Sequence, residues 1–254
     1  MIKAKYSIST VLLVIVFLIS GCSQGKKNEN ANEQVESEMS HEEGHSMAEE
    51  QAEHEHAAGE GHHDEGSMEM SGNESMNWKP GSGNDYTITK DFHFIVGGME
   101  SISPKVIQNE SGDNLLQLTV DGSSTAFVFH QTYGNVGMAA MINVRQFEGT
   151  LKLIHHAKNA NNHEFVSIKG KNMKLGRMVD GNEKVFDEGS FDTANDWINL
   201  RVSAAGTHYK GYIGNETVTH GHGDKMPDGY AGILLEGSGT VLIKSIETVA
   251  LEDE

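Results

Sequence analysis

The chain has 254 residues, 37% of them hydrophobic, and a formal net charge of −18. That length allows one large domain or two small ones. With 19 Lys and Arg against 37 Asp and Glu, and no basic patch, the chain is a poor binder of DNA or RNA, and a single Cys excludes a disulfide framework or a thiolate metal site.

Residues 1–21 read as an export signal. Lys3 and Lys5 supply a basic start, Ser7 to Ile19 a mostly apolar run, and Gly21 a small-residue ending. The run is too short for a comfortable membrane span. Cys22, the single cysteine, closes the segment Ile19-Ser20-Gly21-Cys22. This segment resembles the lipobox of bacterial lipoproteins, in which cleavage precedes the Cys and lipid is attached to it. The resemblance implies a mature protein beginning at lipidated Cys22 and held to a membrane of the bacterial cell envelope by several acyl chains, which anchor stably where one would be marginal. An ordinary secretory signal with a chance Cys is the alternative.

Residues 22–77 form an acidic linker. Asn28 to Asn77 contains 15 Asp and Glu and no Lys or Arg, so residues 1–77 carry −11 and residues 78–254 carry −7. Val35 is its one branched aliphatic, and it contains no aromatic residue. Such a segment buries too little apolar area to offset its ordering entropy and is expected to be disordered. About fifty flexible residues would reach roughly 35–40 Å.

Within it lies HEEGHSM, residues 41–47, a literal match to the zinc-protease pattern H-E-x-x-H. That chemistry needs a stable helix, a third ligand and a dry cleft. Here the pattern contains Gly44 and has no apolar face. The linker as a whole reads differently. His41, His45, His54, His56, His62 and His63 alternate with Met47, Met68 and Met70 among many carboxylates. Imidazole suits zinc and copper, and thioether suits copper(I). The pattern resembles the His/Met-rich tails of bacterial envelope metal-handling proteins. Without a preformed site, binding includes the cost of ordering the chain. Several weak, exchangeable copper or zinc sites are therefore expected, and a plain polar spacer is the alternative.

From Trp78 onward short β-prone runs alternate with turn signals. They are LLQLTV (115–120), STAFVFH (124–130), VGMAAMINV (136–144), TLKLIHH (150–156), EFVSIKG (164–170), NMKLGRMV (172–179), WINLRVSA (197–204), HYKGYI (208–213), ETVTH (216–220), YAGILLE (230–236) and TVLIKSIETVAL (240–251). Asp121-Gly122, Asp180-Gly181-Asn182, Ala205-Gly206, Gly214-Asn215 and Gly237-Ser238-Gly239 supply the turns. The pattern predicts an all-β, antiparallel β-sandwich over residues 78–254.

Trp197-x-x-Leu200-x-Val202, His208-Tyr209-Lys210-Gly211-Tyr212, Asp228-Gly229-Tyr230-Ala231-Gly232-Ile233 and Gly239-Thr240-Val241-x-Ile243 resemble the closing strands of concanavalin A-like lectin/glucanase jelly rolls. Within these they are similar to the laminin-G-like group that includes 3-keto-disaccharide hydrolase-like domains. The resemblance implies two curved antiparallel sheets, the concave one often binding glycans.

In the domain, THGHGD (219–224) places His220 and His222 on one face of a strand, with Asp224 in the following turn. This is a candidate two-His-one-carboxylate metal site, with His208 on the preceding strand as a further group. His155-His156 ends a strand, and alternation lets only one of the pair face a given groove. His156, Arg177, Arg201, His208 and Lys210 are candidate ligand contacts, with Tyr209, Tyr212 or Tyr230 as an exposed aromatic. Trp197 is expected in the core. No closely spaced carboxylate pair of the glucanase kind occurs in residues 78–254. The sequence therefore points to a non-enzymatic envelope lipoprotein that binds transition-metal ions. The alternatives are a glycan-binding surface lipoprotein whose linker is a spacer, and a sugar hydrolase.

Overall fold

A computed structural model of the protein describes residues 75–81 and 88–252. The signal segment, Cys22 and the linker ligands His41, His45, Met47, His54, His56, His62, His63, Met68 and Met70 lie outside them. None of the helices among the described residues is long and apolar enough to cross a membrane.

Thirteen antiparallel strands make the structure. They are β1 (Ser75–Trp78), β2 (Phe92–Val96), β3 (Lys105–Gln108), β4 (Asn114–Asp121), β5 (Thr125–Tyr133), β6 (Val136–Asn159), β7 (Asn162–Lys169), β8 (Asn172–Val179), β9 (Asn182–Ser190), β10 (Ile198–Ala205), β11 (His208–Ile213), β12 (Glu216–His222) and β13 (Gly229–Ala250). β6 and β13 are 24 and 22 residues long and pair from Tyr230↔Ala157 to Ala250↔Val136. Each bends and serves both layers. The first half of β6 pairs with β10 in the order β12-β11-β10-β6-β13, with β1 on the far side of the second half of β13 and β4-β3 beside it. The second half of β6 pairs with β7 in the order β9-β8-β7-β6-β13-β5-β2. β11 packs on β8, and β12 on β8 and β9, so the layers stack as an antiparallel sandwich.

Alternation supplies the core. Leu200, Val202 and Ala204 of β10, Leu151 and Leu153 of β6, Val166 and Ile168 of β7, and Ile233 and Leu235 of β13 all point between the layers and are buried. Tyr209 is buried there too. The sheet starts at Ser75, three residues before the boundary expected from composition, because β1 joins β13 through main-chain pairing (Ser75↔Val249) that needs no apolar side chain.

Two runs expected as separate strands, 136–144 and 150–156, are one strand, and so are 230–236 and 240–251. Gly237-Ser238-Gly239 is a bend inside β13 and not a turn. At the bend Gly149 faces Gly237. A Cβ on Gly149 would lie 2.3 Å from the Glu236 carbonyl oxygen, and one on Gly237 would lie 2.3 Å from that of Glu148. Gly237 also has φ +150, a conformation that L side chains rarely adopt. Gly170, by contrast, has φ +60 with no atom within 4 Å of a built Cβ. Gly237→Ala is therefore expected to lower unfolding stability by about 3 kcal/mol. Gly170→Ala is expected to lose only the roughly 1 kcal/mol of left-handed strain. Urea denaturation of both variants measures this, and equal losses would show that the bend does not need its glycines.

Candidate functional site

The register of β11 and β12 sets His208 opposite His222 and Lys210 opposite His220. Tyr209, Gly211, Thr219 and Gly221 point inward, so the three imidazoles share the outer face at the sheet edge. Ring centroids are 4.6 Å apart for His208–His222, 4.7 Å for His220–His222 and 6.5 Å for His208–His220. One ligand atom from each lies within 4.8 Å of the others. Desolvation first, then the neighbouring His222, Lys210 and His208, holds the His220 pKa below its ordinary value. The ring is thus kept in the neutral form that binds metal. Asp224 does not join them. The strand ends at His222, and the chain turns over the end of the sandwich, where the Asp224 carbonyl accepts hydrogen bonds from Arg177 and from the Tyr209 hydroxyl.

Beneath that turn is a second, interior cluster. His156 has φ 47, a left-handed conformation at a bulge between His155 and Asn159. The bulge breaks the alternation, and both neighbouring rings point to Glu164 of β7. His155 and His156 Nδ1 are 2.8 Å apart. Glu164 Oε2 lies 2.8 Å from His156 Nδ1 and 3.5 Å from His155 Nδ1. His156 Nε2 faces the Gly134 carbonyl at 2.9 Å. Arg177 gives two hydrogen bonds to Glu164 Oε1 and reaches the Tyr209 hydroxyl at 3.2 Å. All five residues are buried.

Burial drives the His155 pKa down to about 3, Glu164 opposing it and His156, His163 and Arg177 adding to it. Burial alone would raise Glu164, but the adjoining His156, His155 and Arg177 outweigh it and hold the carboxyl below its ordinary value. Tyr209 is pushed up to about 12, by burial first and Glu164 second, so its hydroxyl remains a donor.

The five expected ligand contacts therefore separate. His156 and Arg177 sit inside the sandwich, because Arg177 alternates inward with Met173 and Leu175 to meet Glu164. Arg201, His208 and Lys210 are on the outer face. Arg201 is committed there to the β11–β12 turn through Gly214 O at 2.9 Å and Asn215 Oδ1 at 3.1 Å, with its guanidinium 5.4 Å from the Tyr212 ring centroid. Tyr209 is buried and provides no exposed platform. Trp197 is not in the core. It is half-buried at the start of β10 and lines an open groove of about 650 Å³ with Asp192, Asn195, Asp196, Asn199 and Glu216.

No family model matches the chain, and no curated protein does. Solved structures do. A carbohydrate-binding module from Bacillus subtilis aligns at 16% identity over 63% of this chain and 96% of its own, with TM-score 0.50. A Bacillus subtilis protein of unknown function with a galectin-like fold aligns at 9% identity over 65% and 91%, with TM-score 0.50. A Bacillus licheniformis β-glucanase aligns at 12% identity over 72% and 100%, with TM-score 0.48. The described domain is an all-β jelly-roll sandwich of the concanavalin A-like and galectin-like kind.

The interior cluster has a consequence for acid stability. Unfolded, His155 takes up a proton near pH 6.5; folded, it does so only near 3. The unfolded state thus binds more protons between those values. The stabilisation is complete above pH 6.5 and is lost as pH falls through that window. Glu164, lowered from its ordinary value, adds loss in the same direction at lower pH. In protein unfolded, stripped of metal and refolded without it, lowering pH from 7 to 5 should cost on the order of 2 kcal/mol through His155. Thermal unfolding of wild type and His155→Gln across this range checks it, and parallel curves would contradict it.

Proposed function

We propose that the protein is a non-enzymatic binding lipoprotein of the bacterial cell envelope that takes up transition-metal ions, zinc or copper, at His208, His220 and His222. The convergence of three imidazoles on one sheet edge, those of His220 and His222 exposed and that of His208 half-buried, is the observation that carries this reading. Three imidazoles make a donor set suited to zinc or copper(II), and rotation of exposed rings closes the remaining gap around an ion. Exposure makes the site exchangeable, in keeping with buffering. The His/Met-rich linker would add weaker sites that deliver ions to this edge. Cys22 would carry the lipid, and Cys22→Ser should move the protein from the membrane fraction to the soluble fraction.

A second reading, glycan binding by the sandwich, is favoured by likeness to a carbohydrate-binding module and by the Trp197 groove. An indole face beside carboxylates and amides suits a sugar ring, whose C–H face stacks while its hydroxyls hydrogen-bond. Fold likeness speaks for this reading and not for the metal. A sugar hydrolase is the less supported alternative, because residues 78–254 hold no closely spaced carboxylate pair of the glucanase kind.

Calorimetric titration of the mature protein with zinc and with copper tests the first reading. The comparison is a variant with the six linker histidines replaced, alone and combined with His220→Ala and His222→Ala. The linker variant should retain a site, and the combined variant should weaken it by more than the roughly tenfold that loss of one outer-shell partner costs. Unchanged titrations in the combined variant would remove the site. A glycan array tests the second reading. Binding abolished by Trp197→Ala is the expected result there, and a blank array would count against it.

A further inference from the structure

We infer that His155 Nδ1, His156 Nδ1 and Glu164 Oε2 form a separate, enclosed site for a divalent transition-metal ion of the zinc class. The spacing comes first. The three atoms stand 2.8, 2.8 and 3.5 Å apart. Zinc bonds of about 2.0–2.2 Å in tetrahedral geometry place donors about 3.3–3.6 Å apart, so the trio forms one face of such a tetrahedron once its two short edges open by about 0.5–0.8 Å.

Proton placement gives a second, independent argument. The Gly134 carbonyl can only accept, so His156 carries its proton on Nε2. A neutral His156 then presents a lone pair at Nδ1. That lone pair faces a carboxylate oxygen, itself only an acceptor, at 2.8 Å. His155 can give one Nδ1 proton, and its contact at hydrogen-bond length is His156. Glu164 Oε2, in a residue 1% exposed, accepts a hydrogen bond there only if His156 carries a further proton on Nδ1. Three electron-pair donors therefore converge on one point with too few protons between them. Either an added proton or a metal ion resolves this, and two imidazoles with a carboxylate are the donor set of many zinc sites.

The surroundings hold that geometry. Arg177 occupies Oε1 with two hydrogen bonds and turns Oε2 toward the rings, as outer-shell partners orient metal-binding carboxylates. Gly134 fixes the His156 ring from behind. The left-handed turn of His156 lies against β13 so closely that a Cβ on Gly229 would come within 2.3 Å of the His156 carbonyl carbon. A strained backbone that brings two adjacent imidazoles to one side is spent on their convergence. At 0%, 3% and 1% exposure, the ligands would exchange an ion slowly, unlike the outer imidazoles.

The test uses the full mature chain. It is loaded with zinc, dialysed against EDTA at neutral pH and measured for metal content by mass spectrometry. A single retained equivalent is expected in wild type and in the His220→Ala/His222→Ala variant, and none in Glu164→Gln, whose amide oxygen still accepts from Arg177. This keeps the result distinct from the outer-edge reading, which the calorimetric comparison of the linker variant with the combined variant decides. Should Glu164→Gln fail to fold by circular dichroism, wild type refolded with cobalt(II) decides the question. An intense visible absorption of four-coordinate cobalt that EDTA removes slowly supports the site. Full release of zinc to EDTA without that absorption, or retention undiminished in a folded Glu164→Gln, overturns it. In those cases a proton on His156 holds the cluster together.

Discussion

The whole architecture depends on one constraint, the end-to-end pairing of β6 with β13, which continues across three register shifts. Eighteen register partners run from one end of the sandwich to the other through its bend. Because each strand belongs to both layers, the layers are not free to slide or splay independently. Antiparallel ladders tolerate a sharp change of direction only where side chains stand aside, and the opposed Gly149 and Gly237 provide that. The two ends of the pair are then fixed as well. His155 and His156 near the end of β6 meet Gly229 at the start of β13, so the interior cluster inherits its position from the same ladder.

Most of the strands were legible from alternation, and the sandwich from their number and spacing. β4, β5, β7, β8, β10, β11 and β12 fall close to the runs read from sequence. β2, β3 and β9 were not read, nor was β1, whose SMNW falls before the expected domain boundary. FHFIV is short, KVIQ pairs only at an edge, and NEKVFDEGS carries charge at both ends. The bend was illegible because Gly-Ser-Gly has the same composition in a turn and in a kinked strand. At the site, the grouping of His208 with His220 and His222 followed from strand periodicity and a tight turn. The pairing of His155 with Glu164 could not follow. From the Asn159↔Asn162 pair, regular hairpin counting sets His155 opposite Val166, and only the bulge shifts it by two, to Glu164. A bulge of this kind rests on close approach from β13, a neighbour that lies far along the chain.

The interior cluster also shows why buried charge survives in this core. Breaking a buried ion pair by removing one partner leaves an uncompensated charge, whereas the intact pair itself adds little net stability. Glu164 and Arg177 are each satisfied on one side by the other, and Arg177 further ties the Asp224 carbonyl of the 223–228 segment to the sandwich. The arrangement therefore specifies position more than it stabilises. It fixes the turn beyond His222 from below, and with it the end of the strand that carries two of the three outer imidazoles.

Placement along β10 separates the candidate ligands of this domain. Trp197 precedes its first residue, while His208 lies just past its last and pairs with His222. Along β12 the groove residue Glu216 stands four residues from His220 and six from His222, at about 3.3 Å each roughly 13 to 20 Å. No metal ion bridges that distance, and screening weakens a charge effect over more than one Debye length. Metal at one end and sugar at the other would thus occupy the sheet without competing. The interior cluster lies at the imidazole end, since Asn135, next to Gly134, bonds the Gly206 turn that leads into β11. The fold accordingly gathers its nitrogen ligands at one end and its indole groove at the other.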